Sequence, residues 1–229
     1  MTPRRYRKIR AALEQRQPDL TVCMDNVHKD HNLSAVMRSA DAVGILEVHA
    51  VSAGGEVRRH HLMSGGSRKW VGVRRHPDVH TAAQRLHESG HRIVAAHQSE
   101  RSVDFREPDY TRPTALLLGS ELYGVSAEGA ELADAHVSVP MAGMVASLNV
   151  SVAAAVILYE MQRQREAAGL YQRRRLDPEQ YERLLFEWCY PEIARHCRRR
   201  GEPYPPLDED GALQYSPARP HRQQGGQPL

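Results

Sequence analysis

The stretch from Val139 to Tyr159 constrains this chain more than any other. It starts as a strand end, passes through the Pro/Gly loop at Pro140 to Gly143, and becomes a long apolar helix. Ser147 stands where an N-cap is needed, since its hydroxyl can accept from the unpaired amides of a first helical turn. Beyond it Leu148, Val152, Ala155, Val156 and Tyr159 recur at helical spacing, with Ala153 and Ala154 on a second face. A helix apolar on nearly every side belongs in a core or an interface. Asn149 is the misfit in that run. A buried amide needs partners for its oxygen and its nitrogen, so the preceding loop or a ligand must supply them.

The rest of the chain places this helix last in an alternating series. Residues 3–16 read as a short helix with Tyr6, Ile9 and Leu13 on one side, broken at Pro18. Leu20 to Met24 is a β-rich run, and a polar loop leads to Asn32 as the N-cap of a helix through Val43, stopped by Gly44. Strands are expected at 45–52, 70–73, 92–97, 114–118 and 136–140, with helices at 78–88 and 126–133 between them. Ser99 to Arg112 reads as a polar loop, and residues 53–67 as an irregular, glycine-containing region. Such alternation predicts an α/β fold with a mostly parallel sheet flanked by helices. In such sheets ligands sit beyond the carboxyl ends of the strands, which singles out the loops after Ala95, Leu118 and Val139. A final helix is expected from Asp177–Pro178 to about Arg200, followed by a Pro- and Gly-rich tail without periodicity.

Composition narrows the function. The 229 residues suffice for one sizeable domain with appendages. No apolar run reaches the length of a membrane span, and the N-terminus carries no secretory segment. Three cysteines, Cys23, Cys189 and Cys197, point to a reduced compartment, and the expected location is cytoplasmic. Net charge is only +3, but the cations are clustered. Arg4, Arg5, Arg7, Lys8 and Arg10 crowd one end. Arg163, Arg165, Arg173, Arg174 and Arg175 follow the long helix, and Arg195, Arg198, Arg199 and Arg200 close the last one. Basic ends on a balanced body read as a clamp for a polyanion, or more blandly as solvated helix faces.

Three local patterns invite chemistry. Gly119-Ser-Glu-Leu-Tyr-Gly124 follows an apolar strand and reads either as a tight strand–helix turn or as a loop whose backbone approaches a ligand. It is neither a phosphate-binding Walker loop nor a nucleophile elbow. Asn32 and Arg38, six apart, fall on different helix faces; singly they read as a cap and a solvated cation. Thirteen histidines include the neighbours His28 and His31, His60 and His61, but no zinc-ligand spacing, so no metal is expected.

Taken together, Asn32-Leu-Ser-Ala-Val-Met-Arg38, Gly119 to Gly124 and Pro140 to Ala153 resemble, in order and spacing, the three motifs of the SpoU (TrmH) RNA 2′-O-ribose methyltransferases. The likeness covers roughly residues 3–206. It implies a SPOUT fold whose C-terminal part forms a deep trefoil knot, over 20–162. Basic helical extensions at 1–19 and 163–203 and a tail at 204–229 complete the implied organisation. It implies a homodimer, S-adenosylmethionine as cofactor, and the 2′-hydroxyl of guanosine 18 in the tRNA D-loop as substrate. Family members acting on ribosomal RNA or the anticodon loop are the near alternative, and a non-catalytic RNA-binding module the distant one. Carried over by motif, Asn32, Arg38, Glu121, Ser147 and Asn149 are the catalytic set: Asn32 would position Arg38 or the ribose, Glu121 would order the loop at 119–124 and Arg38, and Ser147 and Asn149 would line the methyl-transfer site. Ala96, His97, Leu118, Gly119, Val139, Met141 and Leu148 would hold the cofactor through backbone groups and apolar packing. Arg4, Arg5, Arg7, Lys8, Arg10, Arg16, His31, Arg163, Arg165 and Arg173 would grip RNA phosphates. Arg38 is the family's proposed proton acceptor. Neutralising any guanidinium at neutral pH costs about 8 kcal/mol, so clamping a phosphate and orienting the hydroxyl is the easier role.

Overall fold

The computed structural model describes residues 1–27, 29–51 and 69–214. The histidines at 28, 60 and 61 and the irregular region at 53–67 lie outside them. Two compact units are present: Glu14–Leu176, and Met1–Leu13 together with Asp177–Leu229. The cations from Arg4 to Arg10 and those from Arg195 to Arg200 therefore share one unit, whereas Arg163 to Arg175 belong to the other. The boundary expected after residue 162 falls inside a helix.

The larger unit is built on seven strands: β1 (Leu20–Asp25), β2 (Glu47–Val51), β3 (Gly72–His76), β4 (Arg92–Ala96), β5 (Ser102–Asp104), β6 (Thr114–Leu118) and β7 (Ala135–Ser138). They form one sheet in the order β3-β2-β1-β6-β4-β7-β5, and every pairing is parallel. The helices α2 (Asp30–Ala42), α3 (Val79–Glu88), α4 (Ala127–Leu132) and α5 (Val150–Ala167) connect or follow these strands. β1 and β6 are buried along their whole length, as their unbroken apolar runs require of strands covered on both faces. One apolar cluster joins Val22, Met24, Leu116 and Leu118 to Val36 and Ala40 of α2 and Ile157, Leu158 and Met161 of α5. A second joins Cys23, Ile93, Ala95 and Leu117 to Ala82, Ala83 and Leu86 of α3.

Several expectations change. The short β5 lies inside the segment expected to be loop, because Ser102–Asp104 pair with His136–Ser138 at the sheet edge. The strand expected at 70–73 instead runs from Gly72 to His76. Helix α2 begins at Asp30, so Asn32 sits in its first turn and not at its cap. Helix α5 begins at Val150, capped by Asn149, whose side-chain oxygen accepts from the Ser151 amide at 2.9 Å. Ser147 is exposed in the loop before it. The buried face of α5 is Ala154, Ile157, Leu158, Met161 and Arg165, whereas Val152 and Tyr159 are 47% and 54% exposed.

The smaller unit holds α1 (Pro3–Glu14, its last residue assigned to the larger unit), α6 (Pro178–Cys189) and α7 (Pro191–Arg200). The single helix expected over 178–200 is two, since Pro191 has no amide to continue α6. Tyr6, Ile9, Leu13, Tyr181, Leu185, Trp188, Cys189 and Cys197 are buried. Part of the aperiodic tail is held. Tyr204 stacks on Phe186 with ring centroids 4.6 Å apart, and Tyr190 donates to the Gly211 carbonyl at 2.8 Å.

Candidate active site

Strands β1, β6, β4 and β7 are neighbours, so their carboxyl ends bring four loops to one edge of the sheet. A cavity of about 580 Å³ opens there. Every residue expected to hold the cofactor lines it: Ala96 and His97 after β4, Leu118 and Gly119 after β6, Val139 and Met141 after β7, and Leu148. Glu121, Ser147 and Asn149 also line it. Volumes of this order hold cofactor-sized ligands.

The loop after β6 is both a tight turn and a cavity wall. Ser120 and Gly124 pair across it, with the Ser120 amide donating to the Gly124 carbonyl at 2.9 Å and the return bond at 3.0 Å. A Cβ on Gly119 would lie 1.9 Å from the Gly124 carbonyl carbon and from the Val125 nitrogen, so only glycine lets the loop close. Asp25, 1% exposed, ends β1 and accepts from the Ser126 amide at 3.1 Å, tying the far side of the loop to the sheet. Asp25 is a site-supporting residue that sequence reasoning missed. A carboxylate closing an otherwise apolar strand was its one signal.

The three segments meet through side chains. The Asn32 side-chain nitrogen donates to Glu121 Oε1 at 2.7 Å, and its oxygen accepts from the Asn149 side-chain nitrogen at 3.2 Å. Asn149 Oδ1 then accepts from the Ser151 hydroxyl at 2.7 Å as well as the Ser151 amide. Glu121 also accepts from the Lys29 amide at 3.3 Å. Asn32 is 2% exposed, so burial forces each of its polar atoms to be paired, and this arrangement pairs both ends of its amide. Arg38 stands exposed further along α2, and Glu121 accepts its side-chain bond from Asn32. His31 is exposed beside Asn32.

The His97 amide is already taken, donating to the Val137 carbonyl at 3.1 Å. Burial, then the nearby His136 and Arg101, push the His97 imidazole below its ordinary value and favour the neutral ring. Other cavity-lining residues that the sequence did not single out are Lys29, Gln98, Ser120 and Ser138. Among the described residues, no group of three or more His, Cys, Asp or Glu side chains is placed to hold a metal.

Two arginines expected to grip phosphate cannot reach one. Arg16 is 3% exposed and donates to the Ile45 carbonyl at 2.7 Å and to Asp41. Arg165 is fully buried and donates to Asp19 at 2.8 Å, Gln17 at 3.0 Å and the carbonyls of Tyr110 and Arg112 at 2.9 Å. Their charges are neutralised inside the fold, as a buried guanidinium requires. Arg4, Arg5, Arg7, Lys8, Arg10 and Arg173 are exposed. Arg163 is exposed too, in a two-pronged pair with Glu160.

The sequence and the fold both match known proteins. The model of the SpoU rRNA Methylase family matches residues 19–159, that of its C-terminal segment matches 163–216, and the chain belongs to this family. The tRNA (guanosine(18)-2′-O)-methyltransferase of Escherichia coli is 50% identical over 216 residues, 93% of this chain and 94% of that one. The Thermus thermophilus enzyme of the same name is 57% identical over 187 residues, 82% and 96% of the two chains. Among solved structures, the Aquifex aeolicus TrmH/SpoU tRNA modifying enzyme aligns with a TM-score of 0.76 at 43% identity, covering 83% of this chain and 97% of that one. The AdoMet-bound rRNA methyltransferase of Sinorhizobium meliloti aligns at 0.58 and 28% identity, covering 67% and 59%.

Proposed function

We propose that this chain is a tRNA (guanosine-18-2′-O)-methyltransferase using S-adenosylmethionine. The observation that carries the reading is the Glu121–Asn32–Asn149 relay on the rim of the cavity. Near full-length likeness to relatives of that name supports tRNA as substrate. The cofactor is supported by the fit of the cavity, where Leu118, Val139, Met141 and Leu148 offer apolar packing to an adenosyl group and Gln98, Ser138 and Ser147 offer polar partners.

S-adenosylmethionine, when bound, supplies a methyl group already activated on sulfur. What remains for the chain is alignment of the ribose oxygen and removal of a weakly acidic proton. Asn32, locked between Glu121 and Asn149, fixes the position of the first turn of α2 relative to the cavity. Arg38, on the exposed face of that helix, engages the phosphate beside the target ribose and orients the hydroxyl. Ser147 and Asn149 line the transfer site from the other side. The exposed cations of α1, with His31, Arg163 and Arg173, add sequence-independent grip on phosphates.

The protein acts as a homodimer in this reading, which includes the deep trefoil knot of the family and a location in the cytoplasm. Support for the dimer comes from α5 and the loop before it. Val145, Val152 and Tyr159 are 61%, 47% and 54% exposed, and Met144 is wholly so. A patch of that chemistry is more simply explained by a second copy than by water. Among the described residues no helix is long and apolar enough to cross a membrane.

The test is to incubate the purified protein with labelled S-adenosylmethionine and either unmodified total tRNA or ribosomal RNA, then map the methylated ribose. Label at guanosine 18 of tRNA is the expected result. Label confined to ribosomal RNA or the anticodon loop would replace the substrate, and no label in either would overturn the enzyme reading.

A further inference from the structure

Beside the cavity, but not lining it, a second set of polar side chains is built into the interior. His136, in β7, is 4% exposed. Its Nε2 lies 2.8 Å from the Ala130 carbonyl, which can only accept, so Nε2 carries the proton. Nδ1 is then an acceptor, and the Ser99 hydroxyl donates to it at 2.8 Å. The Ser99 amide donates to the Ser102 oxygen at 2.7 Å, and the Ser102 hydroxyl donates to the His97 carbonyl at 2.6 Å. The two serine oxygens also lie 3.2 Å apart, so the hydroxyls and the histidine form one connected group. The series starts at α4 and ends on the backbone of a residue in the cavity wall. The ring of His97 also meets the ring of His136 edge-on, with centroids 5.3 Å apart.

The topology explains why this chain of bonds is needed. After β4 the backbone leaves the sheet at His97 and returns at Ser102, as the first residue of the three-residue edge strand β5. So short a strand holds its segment weakly. Ser102 and His136 are register partners across β5 and β7, which sets the serine beside the histidine. Without the two hydroxyls, the turn from His97 to Ser102 would keep the amide bond of His97 to Val137 but lose the bond to its carbonyl.

We propose that Ser99, Ser102 and His136 are positioning residues for the cofactor, holding the His97 wall of the cavity through the turn between β4 and β5. This rests on the reading of that cavity as the S-adenosylmethionine site. None of the three touches the reacting atoms, so they act on cofactor affinity and leave the transfer step alone.

Ser99 and Ser102 are partly exposed, which makes Ser99→Ala and Ser102→Ala the primary variants, with Ser102→Thr as the conservative control. Binding of S-adenosylmethionine is measured by calorimetry, and kcat and cofactor KM on tRNA by methyl transfer. Loss of one such hydrogen bond should raise Kd and KM about fivefold to tenfold. The kcat at saturating cofactor should stay within about twofold of the parent. Ser102→Thr, which keeps the donor, should restore the parental Kd. A merely structural role would lower melting temperature without moving Kd, or lower kcat and raise KM together; either result overturns the proposal. Failure of the parent protein to bind S-adenosylmethionine at all would instead overturn the cofactor reading, and this inference with it.

Discussion

The Asn149 side-chain nitrogen donates to the Asn32 side-chain oxygen at 3.2 Å, although the two asparagines are 117 residues apart. Each also has a second task. Asn149 caps α5, and Asn32 donates to the Glu121 carboxylate at 2.7 Å. One hydrogen bond therefore couples the start of α5, the start of α2 and the loop after β6. Replacing Asn32 by alanine removes two hydrogen bonds at once, one to the Glu121 carboxylate, which keeps the Lys29 amide, and one from the exposed Asn149 side chain. Losing them costs roughly 0.5–1.5 kcal/mol for the neutral bond and up to about 3 kcal/mol for the charged one. Asn32→Ala should lower kcat at least about tenfold and the melting temperature by several degrees. Asn32→Asp should be worse, because it sets a second carboxylate against Glu121. Parental kcat for either variant, measured by single-turnover transfer, would remove Asn32 from the site.

Arg38 is on the same helix as Asn32 but faces outward, apart from the cavity lining. In the proposed function its role lies with the RNA. Arg38→Ala should abolish methyl transfer, with a loss of at least about a hundredfold, while S-adenosylmethionine affinity by calorimetry stays within about twofold. Arg38→Lys keeps the charge but not the fork, and should recover only a small part of the rate. A marked loss of cofactor binding in Arg38→Ala would contradict the assignment.

Arg165 and Arg173 look alike in the sequence and part company in the structure. Arg165 is buried and joins the Asp19 carboxylate, Gln17 and three backbone carbonyls, fastening the end of α5 to the entries of β1 and β6. Removing it leaves the half-buried Asp19 carboxylate without one of its two arginines, since Arg175 also pairs with it. Arg165→Met should cost about 3–5 kcal/mol of stability, against under about 0.5 kcal/mol for Arg173→Gln, by chemical denaturation. Acid should expose the same network. Burial alone would raise the Asp19 carboxyl, but the bonds from Arg165 and Arg175 outweigh it and hold it below the ordinary value. A lowered folded value means stability that is complete above the unfolded carboxyl range, near pH 4, and is lost as pH falls below it. Asp19→Asn should flatten that part of the acid denaturation curve. An unchanged curve would mean that Asp19 is not a contributor.

The strand–helix alternation and the cavity loops are readable because they depend on local periodicity and on the carboxyl-end rule for parallel sheets. Leu20 to Met24 and Thr114 to Leu118 are short, β-rich apolar runs, and both are buried strands. What local pattern does not show is which polar residue a distant partner will claim. Asn32 looks like a cap because capping is local, yet Glu121 and Asn149 take it for themselves once the fold brings them near. Arg16 and Arg165 look like phosphate ligands because exposure is the ordinary state of an arginine, and only the carbonyls gathered around each reveal otherwise. The inward face of α5 is hidden for a related reason. A helix apolar on all sides carries no sign of which side meets its own sheet.

That outward face of α5 gives a further test. Tyr159 and Val152 lie seven residues apart, two turns, and so fall on one stripe. If a second copy covers the stripe, Tyr159→Glu should bury a charge at the interface and shift the protein from dimer to monomer at micromolar concentration. Analytical ultracentrifugation reads the change directly. A parental protein that sediments as a monomer would remove the dimer from the proposed function.

Deleting α1 would be a poor test of its cations, because Tyr6, Ile9 and Leu13 are buried and their loss would damage the smaller unit itself. Charge can be removed without touching that face. Arg4, Arg5, Arg7 and Lys8 are all exposed, so changing the four to glutamine should leave the fold intact. Every cation withdrawn from a phosphate should flatten the dependence of log affinity on log salt by roughly 0.7–0.9. If two or three of the four grip phosphates, the slope should fall by about 2, with tRNA affinity weakened most at low salt and least at high salt. Filter binding of tRNA across a salt series measures both quantities. A slope equal to the parent's would show that these side chains are merely solvated, and that the RNA is held elsewhere.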